Sequence, residues 1–148
     1  MEIFYVDGQS LGNEQRSSSR RAKIVFVHQW SANPDQSRVY WKDVGDKTNS
    51  EAEYLALLEA LSFVSRNWDQ KDGATPDTVE IRSDSQFMVK QIHGEYKVKE
   101  ERLRPMWEQA RNIIAELGFV RVKWVSREEN YAGHWLEGKW AAKVVVKL

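Results

Sequence analysis

The sequence predicts an α/β fold, a five-stranded mixed sheet with helices laid over it, and three observations predict it. Three β-rich runs come first and close together: Ile3–Val6, Ile24–Val27, and Val39-Tyr40-Trp41 with Val44. The pattern then changes period, because Ser50 to Arg66 is rich in Ala, Leu and Glu, all strong helix formers. From there short strand-like and helical stretches alternate, which gives the order βββαβααβα and a layered architecture.

Each element has its own warrant. Ile3–Val6 is a continuous apolar run closed by Asp7-Gly8, the pattern of a strand buried on both faces. Gln9 to Arg21 is polar, holds three consecutive serines, and reads as a loop. The second and third runs are joined through Asn33-Pro34-Asp35. Connections this short favour antiparallel neighbours, so the first three strands form a meander. Val79-Glu80-Ile81 is a fourth strand ending near Asp84, followed by a short helix, Ser85 to Ile92, that Gly94 ends. Glu100 to Leu117 places Leu103, Met106, Trp107, Ala110, Ile113, Ile114 and Leu117 on one side of an amphipathic helix, and Gly118 stops it. Val120 to Val125 alternates as a fifth strand, and Asn130 to about Lys143 reads as the last helix. No repeat or linker divides the chain, so residues 1–148 are expected to form one domain.

Composition narrows the function. With 41% hydrophobic and 30% charged residues, the 148-residue chain is neither disordered nor of low complexity. No apolar run approaches the roughly 18 residues of a membrane helix. Met1 to Asp7 lacks the basic-then-apolar pattern of a secretion signal, so an intracellular, cytoplasmic location is expected. The absence of cysteine excludes disulfide frameworks, thiol catalysis and cysteine zinc sites. Lys and Arg (22) balance Asp and Glu (22), so a nucleic-acid partner would need a local basic patch or metal ions offsetting acidic residues. Of the seven tryptophans, Trp30, Trp41, Trp107 and Trp124 fall on strands or apolar faces and are read as core.

Three acidic residues stand in unusual places. Asp7 closes a central strand, and the long polar stretch after it argues against a tight Asp-Gly hairpin. Glu53 could complete a capping box with Ser50, yet it also shares the helical stripe of Leu57, Ala60, Leu61 and Val64 that should face the sheet. Asp84 could be a helix N-cap, or a ligand at the C-terminal edge of the sheet, where open α/β sheets collect their sites. Three carboxylates converging on one spot repel unless cations neutralise them. Hard divalent ions with oxygen ligands suit that task, and a pair of them suits in-line displacement at phosphate.

With these residues in place, the chain resembles the type 1 ribonuclease H family. The resemblance is carried by Tyr5-Val6-Asp7-Gly8 with Leu11-Gly12-Asn13, Thr48-Asn49-Ser50-Glu51-Ala52-Glu53-Tyr54, and Ser83-Asp84-Ser85-Gln86. Gly94-Glu95-Tyr96-Lys97-Val98-Lys99 and Trp124-Val125-Ser126-Arg127-Glu128-Glu129-Asn130 continue it in the family's order, from about Ile3 to about Trp140. It implies the ribonuclease H fold and hydrolysis of the RNA strand of RNA–DNA hybrids, leaving 5′-phosphate and 3′-hydroxyl ends. It further implies two divalent ions, Mg2+ or Mn2+, with Asp7 bridging them and Glu53 and Asp84 holding the second. Glu53 would also touch a ribose 2′-hydroxyl, the group that separates RNA from DNA. Asn13, Asn49 and Gln86 match positions that reach the minor groove of the hybrid, and Thr48 matches a phosphate pocket for the DNA strand.

The chain departs from the family at its fourth acid. Aligned on Asn130, the position usually held by Asp carries His134. Read as a ligand, His134 would favour Mn2+ over Mg2+ and lose its grip in mild acid; read blandly, it is a surface residue at a lost position. Glu129 and Glu137 are nearby substitutes that spacing does not separate. The segment Gln91 to Arg104 is short for the family's basic protrusion, and Ser126 to Glu129 lacks the histidine that some members carry. Arg16, Arg20, Arg21 and Lys23 are read as a solvated loop, and His28 and His93 as structural. Two alternatives stay open: a catalytically impaired nucleic-acid-binding module of this fold, and another nuclease of the fold. A monomer is expected.

Overall fold

The computed structural model describes residues 2–10, 21–68 and 78–148. Strands β1 (Glu2–Ser10), β2 (Ala22–Gln29) and β3 (Ser37–Gly45) form the expected antiparallel meander. Helix α1 (Asn49–Asn67) then crosses to β4 (Val79–Ser83), which lies parallel to β1. Helix α2 (Gln86–Ile92), a 3-10 turn (Glu101–Leu103) and α3 (Arg104–Leu117) lead to β5 (Val120–Trp124), parallel to β4. A second 3-10 turn (Arg127–Glu129) precedes the short helix α4 (Tyr131–Leu136).

The sheet has six strands, in the order β5-β4-β1-β2-β3-β6, where five were expected. The helix read from Asn130 to about Lys143 ends at Leu136, because Gly138 takes a left-handed φ of 73° and breaks it. The β-branched run after it becomes β6 (Val144–Lys147), parallel to β3 at the sheet edge.

β1 is central and buried on both faces, as its apolar run predicts. Phe4 and Val6 pack with Ile24, Phe26, Leu57 and Leu61 beneath α1, while Tyr5 joins Val25, Val27, Val39 and Ala132 beneath α4. Buried polar bonds lock the helical layer: the Tyr54 hydroxyl donates to Gln91 Oε1 at 2.6 Å, and Trp107 Nε1 donates to the Gln91 carbonyl at 2.9 Å. His93 Nε2 donates to the Val122 carbonyl at 2.8 Å, and His28 stacks on Phe4 at 4.5 Å, so both are structural. Of the four tryptophans read as core, Trp41 and Trp107 are partly buried, but Trp30 (41%) and Trp124 (44%) are exposed. Trp30 lies just beyond β2 and Trp124 ends an edge strand, so neither has a neighbouring element on both sides.

Candidate active site

Asp7, Glu53 and Asp84 come together: each offers a carboxylate oxygen, and these oxygens all lie within 4.8 Å of one another. They arrive from three separate elements. Asp7 lies inside β1, opposite Val25, and does not close the strand. Glu53 rides on the first turns of α1. Its supposed capping box belongs to other residues: Thr48 is the N-cap, its hydroxyl accepts from Glu51 N–H at 3.1 Å, and Glu51 Oε1 accepts from Thr48 N–H at 3.0 Å. Asp84 likewise escapes the capping role. Ser85 caps α2 through Met88 N–H, leaving the Asp84 side chain at the tip of β4.

Gly8 is what lets α1 come this close. A Cβ on Gly8 would overlap the carbonyl carbon and oxygen of Ala52 and lie 2.7 Å from the Glu53 nitrogen. Only a residue without a side chain allows the helix to seat against β1 and set Glu53 beside Asp7.

Asn130 and Trp124 hold the other side. Asn130 is fully buried, and its Nδ2 donates to the Val6 carbonyl at 3.0 Å and to Asp84 Oδ2 at 2.9 Å. Its Oδ1 accepts from Ala132 N–H at 3.1 Å and so caps α4. One amide therefore ties β1, Asp84 and α4 together. Trp124 Nε1 donates to the Asp84 carbonyl at 3.1 Å.

The electrostatics are those of crowded acids. Burial, reinforced by the charge of Asp84, pushes the Asp7 carboxyl up to about 7 despite the nearby Arg127. Burial also raises Glu53, against a hydrogen bond from Ser85 that favours its charged form. Arg127 bridges two of the acids: Nη1 donates to Asp7 Oδ2 at 2.9 Å and to Asp84 Oδ2 at 2.8 Å. Hard divalent cations fit this donor set of three close carboxylates.

His134 is not brought to the cluster. Its Nε2 lies 2.6 Å from the Glu128 carbonyl, which can only accept, so the proton sits on Nε2. Position 133 packs against Arg127, since a Cβ on Gly133 would meet its guanidinium at 2.9 Å. Among the residues matched to substrate contacts, Thr48 is the α1 cap, Asn49 Oδ1 accepts from Ser10 N–H at 2.7 Å, and Gln86 is exposed on the first turn of α2. Asn13, Arg16 and Arg20 lie outside the described residues. Of the basic cluster after the first strand, Arg21 is exposed and Lys23 sits 4.8 Å over the Trp41 ring. Sequence reasoning used Asn130 only as an alignment anchor and passed over Arg127; the signal available was their shared motif, Trp124 to Asn130.

A sheet of this order with an acidic cluster at the β1–β4 junction defines the type 1 ribonuclease H class of enzyme. Residues 37–138 match the model of the reverse transcriptase-like family, and the chain belongs to that family. It is 28% identical over 134 residues to the putative hydrolase EbsB of Enterococcus faecalis, spanning 90% of this chain and 88% of that one. It is 32% identical over 128 residues to the bifunctional protein Rv2228c of Mycobacterium tuberculosis, covering 86% of this chain but only 32% of the relative. Among solved structures, LC11-RNase H1 in complex with an RNA/DNA hybrid superposes with a TM-score of 0.74 at 28% identity, covering 88% of this chain and 89% of that one. The N-terminal RNase H domain of Rv2228c superposes with a TM-score of 0.71 at 25% identity, covering 93% and 91%.

Proposed function

We propose that this chain hydrolyses the RNA strand of RNA–DNA hybrids, using divalent ions held by Asp7, Glu53 and Asp84 and leaving 5′-phosphate and 3′-hydroxyl ends. The observation that carries this reading is the convergence of three carboxylates from β1, α1 and the tip of β4 within 4.8 Å. The likeness to a ribonuclease H1 solved with an RNA/DNA hybrid supports the substrate class.

Bound divalent ions, two in the family this chain resembles, would activate the attacking water and stabilise the leaving 3′-oxygen. Mg2+ and Mn2+ both suit an all-carboxylate set. The protein's own task is to hold those ligands still. Asn130 fixes Asp84, Ser85 fixes Glu53, and the ladder of β1 fixes Asp7. By the family resemblance, Asn49 and Gln86 would read the minor groove, Glu53 a 2′-hydroxyl, and Thr48 a DNA phosphate. On the same side as α2, Phe87 (57% exposed) and Tyr96 (42%) form an aromatic pair with centroids 5.4 Å apart, and Lys90 lies 4.9 Å over the Tyr96 ring. A groove of Tyr96, Lys97, Lys99, Arg104, Trp107 and Arg111 continues from it. This basic and aromatic surface supplies the local patch that a chain of zero net charge needs for a phosphate backbone.

The test is cleavage of an end-labelled hybrid in Mg2+ and in Mn2+ beside Asp84→Asn. Cutting of the RNA strand alone, reduced about 100-fold or more in the variant, is expected. Hybrid binding without cleavage in either metal would assign a binding module instead.

A further inference from the structure

The space at position 133 is taken by an arginine. A Cβ on Gly133 would lie 2.9 Å from both Cζ and Nη1 of Arg127 and 3.3 Å from Nε. From that space one edge of the guanidinium spans Asp7 and Asp84. Its other edge is held outside the cluster, where Nε and Nη2 donate to Glu137 Oε1 at 3.1 and 2.7 Å. Glu137 is itself paired with Lys139 at 2.8 Å. Arg127 thus has two anchorages, one inside the acidic cluster and one beside it.

We propose that Arg127 is an internal cation that fills the acidic cluster when no divalent ion is bound and is exchanged for the ion, with Glu137 retaining the guanidinium at the rim. This rests on the metal-binding reading above. A guanidinium does not deprotonate in a protein. A divalent ion on Asp7 and Asp84 therefore meets a fixed like charge at hydrogen-bond distance from the same oxygens, and the two cannot share them. The side chain is 40% exposed, so the way out is open to solvent. Gly133 is the condition for the arrangement, because any side chain there would occupy the volume of the guanidinium.

The experiment is calorimetric titration of Mn2+ into the nucleic-acid-free protein, comparing the parent, Arg127→Gln and Lys139→Gln. Arg127→Gln is expected to bind Mn2+ about tenfold more tightly or better, because charged hydrogen bonds to two ligands no longer have to be broken. Its melting temperature should fall without metal and match the parent at saturation. Lys139→Gln removes the same charge without touching the cluster, so it should change affinity by about twofold at most. In the parent, the Arg127 Nε–H resonance should shift in step with Mg2+ occupancy. Equal tightening in both variants, unchanged affinity in Arg127→Gln, or a resonance unmoved at saturation overturns the proposal while the metal reading stands. No Mn2+ binding in any of the three proteins overturns the metal reading and this proposal with it.

Discussion

Replacing Asp7 with Asn should stabilise the metal-free protein, and the gain should grow with pH. Asp7 is 4% exposed, and burial together with the charge of Asp84 pushes its carboxyl up to about 7. In the unfolded chain the same group titrates near its ordinary value of about 3.9. The native state therefore keeps the proton longer than the unfolded state does. Its stabilising contribution is full below about pH 4 and is lost as pH rises through 7. The whole effect amounts to about 4 kcal/mol, of which roughly 2 to 3 kcal/mol falls between pH 5 and pH 8.5. Asn has the shape of the protonated acid, and its carbonyl oxygen can still accept from Arg127. Thermal and urea denaturation in EDTA at pH 5 and pH 8.5 measure the difference. At pH 8.5 Asp7→Asn should melt roughly 10 °C above the parent, and at pH 5 distinctly less. A gain of the same size at both pH values, or a loss at pH 8.5, would refute the electrostatic argument. Because Glu53 is raised by the same cause, the variant should retain some slope of its own.

Other substitutions probe the remaining links. Gly8→Ala should destabilise by about 3 kcal/mol or more, measured by urea denaturation, because the new methyl overlaps the Ala52 carbonyl and must push α1 off β1. Any hybrid cleavage should fall with it, since Glu53 moves with the helix. His134→Ala should leave Mn2+ affinity unchanged and cost about 1 kcal/mol of stability, because the imidazole is engaged with the Glu128 carbonyl. A weakened Mn2+ titration would make His134 a ligand. Phe87→Ala should raise KM for a hybrid with little change in kcat, steady-state assays at two salt concentrations serving as the measurement, because an exposed ring packing against the sugars of a duplex contributes to binding alone.

The antiparallel meander and the central place of β1 follow from patterns visible in the chain, whereas the parallel placing of β4 and β5 came only with the family resemblance. The caps were legible only in part. Ser50 with Glu53 and Thr48 with Glu51 satisfy the same capping pattern two residues apart, and the tertiary approach of Gly8 to Ala52 selects the second. Asp84 and Ser85 are equally good N-caps, and β4 pairing through Ser83 leaves the role to Ser85. β6 was hidden by a helical reading that ran through Gly138, whose positive φ ends α4 eight residues short of Val144. The role of Arg127 was passed over, because its acidic-cluster partners lie 120 and 43 residues away and only its place in the Trp124 to Asn130 motif marked it.

Counting from Asn130 puts His134 at the place of the family's aspartate. Asn130 caps α4, Gly133 packs against the Arg127 guanidinium, and His134 Nε2 is engaged with the Glu128 carbonyl. Losing an acid there and admitting an arginine change the local charge in the same sense. Three carboxylates held this close cost stability whenever they are ionised and unaccompanied. A guanidinium drawn into the space lowers that cost in the metal-free state, and the same contact must weaken the hold on any divalent ion that displaces it. Ease of folding without metal and tightness of metal binding are thus opposed through one side chain, and Gly133 sets the balance by leaving room for it.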